Sequence, residues 1–447
     1  MKRPPWIILA LFAVLTPAAV FAADDAPTAA GQVLKAGDVL GRENWQLAEG
    51  LLPPEILKHY RDGGYVNPIV NWPIDLYTWP TDFLEATKSN EGRFDVADEG
   101  HVVDKQTGNQ PEYVLGFPFP KIDAADPKAG SKVVWNYFYR TWYFGNSINH
   151  SQLNWIDPRG LERRSDVEAS FKYYDGVPQK EREDNPQNFL NQFLTIVRSP
   201  TDLHGTASLT WRYRDPQKRD STWTYVPALR RVRAVSPANR SDGFLGSDMS
   251  QDDGPFFDGK PEDFNWALKG EAEQLRLIDP LSLEGKFESV WLPNGGWRAN
   301  WPDLAFLGYM DGDWSGVGWA PRTGALAKRL HWVVEGSPKD KYYLYGKMEM
   351  YIDKHTFQGS WNRKFSWRDE LLNTYQVMAF IPYKVTRPDG QSDFVQGSNM
   401  AFQCAENIKN NRATVAGIKS DPKSGFDSHI TFKPTYFEVS SLSTHGK

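Results

Sequence analysis

The sequence predicts a mainly β fold with a few helices, an α+β chain built on antiparallel strands. Three observations predict it. Period-two alternation recurs through the second half of the chain, Gly, Pro, Asn and Asp punctuate it as turns, and helical spacing is confined to short stretches.

Met1 to Ala22, "MKRPPWIILALFAVLTPAAVFA", has a basic start, an apolar run from Trp6 to Leu15, and Val20 and Ala22 where a cleavage site needs small residues. It reads as a signal peptide. The run is too short to span a bilayer as an anchor, and Pro17 interrupts its end. Cys404 is the single cysteine and lies far from the cleavage site, so neither a disulfide framework nor a lipid-receiving cysteine is expected. The expectation is a soluble periplasmic protein. A formal charge of −5, more acidic still without Lys2 and Arg3, argues against a nucleic-acid partner.

After a small, Ala-rich stretch, a short helix is expected from Pro53-Pro54 to Gly63-Gly64, followed by Pro-rich extended chain. "NPQNFLNQFLTIVRSP" predicts another helix: Asn185 caps, Pro186 fits the first turn, Phe189, Leu190, Phe193, Leu194 and Val197 share a face, and Pro200 stops it. The period then changes. Ala207, Leu209, Trp211 and Tyr213 alternate with Ser208, Thr210, Arg212 and Arg214, "DPQKRD" turns, and "STWTYV" returns with Trp223 and Tyr225 on one side. This is a hairpin with an aromatic face. A short helix is expected near Pro261 to Lys269, and strands in "RLHWVVEG", "YYLYGKMEMYID", "SWNRKFSW" and "TYQVMAFIPYKV".

Local catalytic motifs are missing. Eight histidines include no pair at i, i+2 or i, i+4, and no G-x-S-x-G elbow, Walker loop or complete G-x-G-x-x-G occurs. "DGDWSG" (311–316) begins like a calcium loop, but its twelfth position is Arg322, which predicts a plain polar turn. "SDMSQDDG" offers carboxylates that a glycan hydrolase would need as a pair.

Aromatic residues reach 14% with 18 tryptophans, enough for a core, a sugar-stacking platform or the wall of a greasy cavity. Met348 and Met350, in phase on one strand, suit a cavity that takes variable apolar cargo. In "PALRRVRAV" Arg230 points one way and Arg231 and Arg233 the other, so at least one is expected to turn inward. It would then pair with Asp242 or Asp248, or with the anionic group of a ligand.

The run "FLTIVRSPTDLHGTASLTWRYRD", continued by "TWTYVPALRRVRAVSPANRSDGFLGSDMSQDD", resembles the LolA-like outer-membrane lipoprotein-sorting proteins. The chain as a whole is similar to a related proteobacterial family of periplasmic proteins of unknown function. That resemblance implies a strongly curved antiparallel sheet, an incomplete barrel closed by helices over an apolar cavity. It also implies a resistance-nodulation-division type exporter in the inner membrane as a partner. The large N-terminal addition and the missing lipobox depart from the pattern.

The expected organisation is a signal peptide (1–22), an N-terminal extension packed on the core (23–163) and a LolA-like half-barrel region (164–447). The expected function is a periplasmic carrier or chaperone of a lipid or other hydrophobic molecule, in lipid or lipoprotein trafficking or exporter-linked transport, with no catalysis, cofactor or metal. Its ligand-binding residues would be Leu209, Trp211, Tyr213, Trp223, Tyr225, Met348 and Met350 around the cavity, with Arg230, Arg231 and Arg233 at an anionic head group. A glycan-active enzyme and a non-catalytic exporter adaptor are the rival readings.

Overall fold

The computed structural model describes residues 33–72, 79–236, 240–284, 288–293, 295–300, 306–379, 383–386, 389–390, 392–395, 402–418 and 426–446. The expected signal peptide lies outside them. In chain order the elements begin with β1 (Val39–Leu40), α1 (Pro54–Asp62), β2 (Asn67–Val70), α2 (Thr81–Ser89), β3 (Phe94–Val96), β4 (Val102–Asp104) and α3 (Ala129–Trp142). Six strands follow: β5 (Ser147–Asp157), β6 (Gly160–Tyr173), β7 (Phe189–Ser199), β8 (Ala207–Tyr213), β9 (Ser221–Val226) and β10 (Arg231–Val235). Beyond them come β11 (Phe264–Ile278), β12 (Glu288–Trp291), β13 (Trp297–Asn300), β14 (Ala325–Pro338), β15 (Lys347–Asp353), β16 (Gly359–Phe365) and β17 (Leu371–Met378). The chain finishes with β18 (Tyr383–Thr386), β19 (Ser392–Val395), β20 (Phe402–Asn407), β21 (Arg412–Ile418), β22 (Phe426–Ser428) and α4 (Leu442–His445).

One antiparallel path runs β11, β14, β15, β16, β17, β20, β21, β5, β6, β7, β8, β9, β10. Among the described residues β10 and β11 do not pair with each other, so the sheet is not closed into a barrel. Strand β2 adds in parallel to the start of β14, and β22 joins β5 to the β12–β13 hairpin. Residues 34–447 make one compact unit, and residue 163, the expected edge of the N-terminal extension, lies inside β6.

The helix expected at Pro53-Pro54 forms as α1, with Pro54 at its start and Gly63 closing it in the left-handed conformation at φ 77°. The helix expected over 185–199 does not form. Residues 185–188 are a turn and 189–199 are β7, largely buried on both faces, and a doubly buried strand places apolar residues at helical and alternating intervals alike. The stretch near Pro261 is one 3-10 turn that runs straight into β11. Tyr342 to Gly346 is a turn, so only Lys347–Asp353 of the expected "YYLYGKMEMYID" strand is extended.

Helix α3 was absent from the expectations because "VVWNYFYRTW" is apolar and aromatic on every side. That is how a fully buried helix reads. It packs on the inner face of the sheet, with Phe138, Trp135 and Trp142 in one cluster with Trp332, Val334, Met348 and Met350. Gly130 makes this approach feasible: a Cβ there would sit 2.9 Å from the backbone of Ala267. The outer face is covered twice. The segment around α1 packs on Trp361, Cys404 and Val415, and the C-terminal segment packs Ile430, Phe432, Phe437 and Leu442 on β7 to β9.

Candidate functional site

Strands β5 to β8 present alternate residues to the inner face in register. Asn149, Ala169, Thr195 and Ser208 form one cross-strand row; Ser147, Phe171, Phe193 and Thr210 form the next. Both rows line a pocket that encloses about 1380 Å³ of empty space, open solvent at its mouth included. The hollow follows from side-chain size. Ser, Thr and Ala occupy positions where Leu or Phe would fill the space between sheet and helix.

The opposite wall is Thr141 and Phe144, at the end of α3, with Phe244, Met249 and Pro255 from the segment after β10. Tyr375, whose hydroxyl donates to Gln403 Oε1, closes one side. The walls are apolar with a scatter of polar groups. Thr210 and Thr222 share a hydrogen bond at 3.1 Å, whereas the buried Asn149 Oδ1 has no partner among the described residues.

The segment 240–258 is held against the sheet by buried charges. Arg240, which lines the pocket, pairs with Asp252 at 2.6 Å and Asp220 at 3.1 Å; Arg212 pairs with Asp220 at 3.0 Å and Asp258 at 3.4 Å. Burial would raise the Asp220 carboxyl, but the two guanidiniums hold it below the usual carboxylate range. At Asp258 burial prevails and the carboxyl is raised. Tyr343 donates to Asp252 at 2.9 Å. Asp248 accepts from Arg412 at 3.1 Å, and Asp253 meets Lys364. The carboxylates of "SDMSQDDG" are therefore engaged with Arg412, Arg240 and Lys364 and anchor the pocket wall.

The expected site residues lie elsewhere. Leu209 and Tyr225 are buried on the outer face, where Trp211 and Trp223 stack edge-on at 4.6 Å beneath the C-terminal segment. Trp211 Nε1 donates to Phe437 O at 2.9 Å and the residue lines a second, outer pocket. Tyr213, on the same side, meets Phe189 and Lys218. The polar alternates Ser208 and Thr210 face the inner pocket instead. Met348 and Met350 share the inner face but are packed in the core at 1% and 0% exposure, and neither lines the pocket.

The expected inward arginine is not in the cluster. Arg230, at φ 48°, Arg231 and Arg233 are all exposed, and Asp248 belongs to Arg412. Among the described residues β10 is the last strand of this path; its Val232 packs against the C-terminal cluster, while Arg231 and Arg233 stand on the other side, where charge meets water at little cost. Arg231 and Arg233 pair across to Val226 and Thr224 of β9, on the same side as Ser208, two strands beyond the pocket's wall.

In the turn 311–316, Arg322 pairs with Asp311 at 3.3 Å and lies over the Trp314 ring, so a guanidinium stands where a cation would be needed. Among the described residues no group of His, Cys, Asp and Glu could hold a metal ion, and no helix is long and apolar enough to cross a membrane.

Sequence reasoning missed the lining of β5 and β6, the end of α3, and Arg240. The Ser/Thr alternation of β8 was a usable signal for the pocket side, but the aromatic alternates Trp211 and Tyr213 were assigned to the cavity instead.

A family model described as protein of unknown function (DUF1329) matches residues 43–291. No curated protein matches the chain. Among solved structures, a domain provisionally assigned to outer membrane lipoprotein sorting, from Vibrio parahaemolyticus, is 16% identical over 71% of this chain and 100% of its own, with a TM-score of 0.45. A DUF1329 family protein from Desulfovibrio piger is 16% identical over the same shares, 71% and 100%, at 0.44. A LolA superfamily protein from Nitrosomonas europaea is 11% identical over 69% and 96%, at 0.39.

Proposed function

We propose that this chain, which belongs to the DUF1329 family, is a periplasmic carrier that shelters a lipid-like amphiphile without transforming it. The carrying observation is the pocket on the inner face of β5 to β8, roofed by the end of α3 and the anchored segment after β10. Apolar walls from Phe171, Phe193, Val167 and Met249 suit an acyl chain, and the unpartnered Asn149 carbonyl suits a polar group beside it. Carboxylates already bound to arginine and lysine favour a binding role over hydrolysis of a glycan.

Native mass spectrometry and solvent extraction of protein isolated from its own periplasm test the reading. An adduct with the mass of an amphiphile is expected. Protein that stays free of any adduct and takes up no fatty-acid probe would overturn it. An inner-membrane exporter as the receiving partner is a further part of the proposal, checked by co-purification.

A further inference from the structure

Buried arginines in this fold come with carboxylates. Arg212 has Asp220 at 3.0 Å, Arg214 has Asp175 at 2.6 Å, and Arg276 has Asp353 at 3.6 Å. Arg140, in the last turn of α3, is 2% exposed and differs: its Nε and Nη2 are buried with no hydrogen-bond partner, and no carboxylate pairs with it among the described residues. The Phe144 ring lies 6.0 Å from the guanidinium carbon, at the limit of a cation–π contact. The negative end of the helix dipole favours a cation there, but only weakly. A buried, unpaired charge is otherwise expensive.

Its place suggests what completes it. Arg140 does not itself line the pocket, but its guanidinium carbon lies 6.0 Å from the ring of Phe144, which does, so the guanidinium is one side chain behind the wall. Asp220, Asp252 and Asp258 are committed to Arg212 and Arg240. We propose that Arg140 receives the anionic group of the cargo, a long-chain carboxylate or a phosphate ester whose chain occupies the pocket. This rests on the carrier reading and narrows its ligand class to anionic amphiphiles. A planar five-donor fork suits either anion.

The test pairs binding with stability in the full-length mature protein. Palmitate against methyl palmitate, and dipalmitoyl phosphatidate against dipalmitoylglycerol, differ in the anionic group and not in the chains. Wild type should prefer the anionic member of one pair by about tenfold or more, and that pair identifies the anion. Arg140→Met should abolish the preference, keep the neutral ligand bound, and raise the melting temperature of cargo-free protein, because an unpaired buried charge has gone. Arg140→Gln, read the same way, serves if the Met variant does not fold. Equal binding of charged and neutral ligands by wild type would overturn this inference and leave the carrier standing; binding of neither would remove both. A lowered melting temperature with unchanged preference would make Arg140 a structural residue. Inorganic phosphate competing as well as phosphatidate would make the site one for free anions and overturn the amphiphile.

Discussion

The two ends of the sheet's inner face share a backbone plan and differ in what stands on it. At one end Met350, Asn362, Tyr375 and Ala405 form a cross-strand row packed with α3, Phe256 and Phe257 as core, with Tyr375 at its border closing one side of the pocket. At the other end Asn149, Ala169, Thr195 and Ser208 form the equivalent row, and a pocket lies over it. Along the first of these rows larger side chains fill the space under the helix, and along the second Ala, Thr and Ser leave it open.

The largest expected effect is at the filled end. Met350→Ala should cost about 2–5 kcal/mol of stability, measured by denaturant unfolding, because a fully buried site relaxes only partly around the cavity. Fatty-acid uptake should change little. A loss below about 1 kcal/mol would show that this end is loosely packed too, and the contrast would fail.

Glu262 sharpens the comparison through dryness. It is buried beside Trp135 and Tyr139 of α3, its Oε2 has no partner among the described residues, and burial pushes its carboxyl up to about 7 from an ordinary 4.5. The folded state therefore keeps a proton that the unfolded chain releases, and stability contributed by this group is lost as pH rises between those values. Glu262→Gln should remove that part of the pH dependence and stabilise the protein by about 1–3 kcal/mol at pH 7.5. Thermal unfolding of both proteins from pH 4.5 to 8 checks it; parallel curves would mean that water reaches the carboxyl.

At the hollow end the order of effects reverses. Ser208→Trp should lower fatty-acid uptake by about tenfold, equivalent to about 1.4 kcal/mol, while changing stability by less than about 1 kcal/mol. Unchanged uptake, read by probe fluorescence, would place the cargo elsewhere. The smallest effect belongs to the edge strand, where Arg231→Gln should leave the melting point within the range of a surface substitution, about ±0.5 kcal/mol. A large drop would mean that β10 is more enclosed than the exposure of its arginines indicates.

Local chemistry made much of the fold legible. The Pro54 start and Gly63 stop of α1 are conformational preferences of single residues, and they hold whatever packs around them. The β8–β9 hairpin appears where alternation and the "DPQKRD" turn coincide. Neither α3 nor β7 could be read this way. Burial on all sides erases the contrast between faces on which periodicity depends.

The sequence by itself determined that residues 207–213 have two chemically different faces, one of Ala207, Leu209, Trp211 and Tyr213, the other of Ser208, Thr210 and Arg212. Which face met the cavity was decided only in the tertiary structure. Ile430, Phe432, Phe437 and Leu442, more than two hundred positions downstream, cover the aromatic face, and α3, from far upstream, roofs the hydroxyl face without filling it. The arginines follow the same rule. Arg230, Arg231 and Arg233 were conspicuous as neighbours in sequence, yet they stand exposed on and beside an edge strand whose covered side carries Val232, whereas Arg140 drew no attention inside an aromatic helix that the fold buries. A period of two specifies opposite sides of a strand, but burial depends on which distant segments arrive to cover each side.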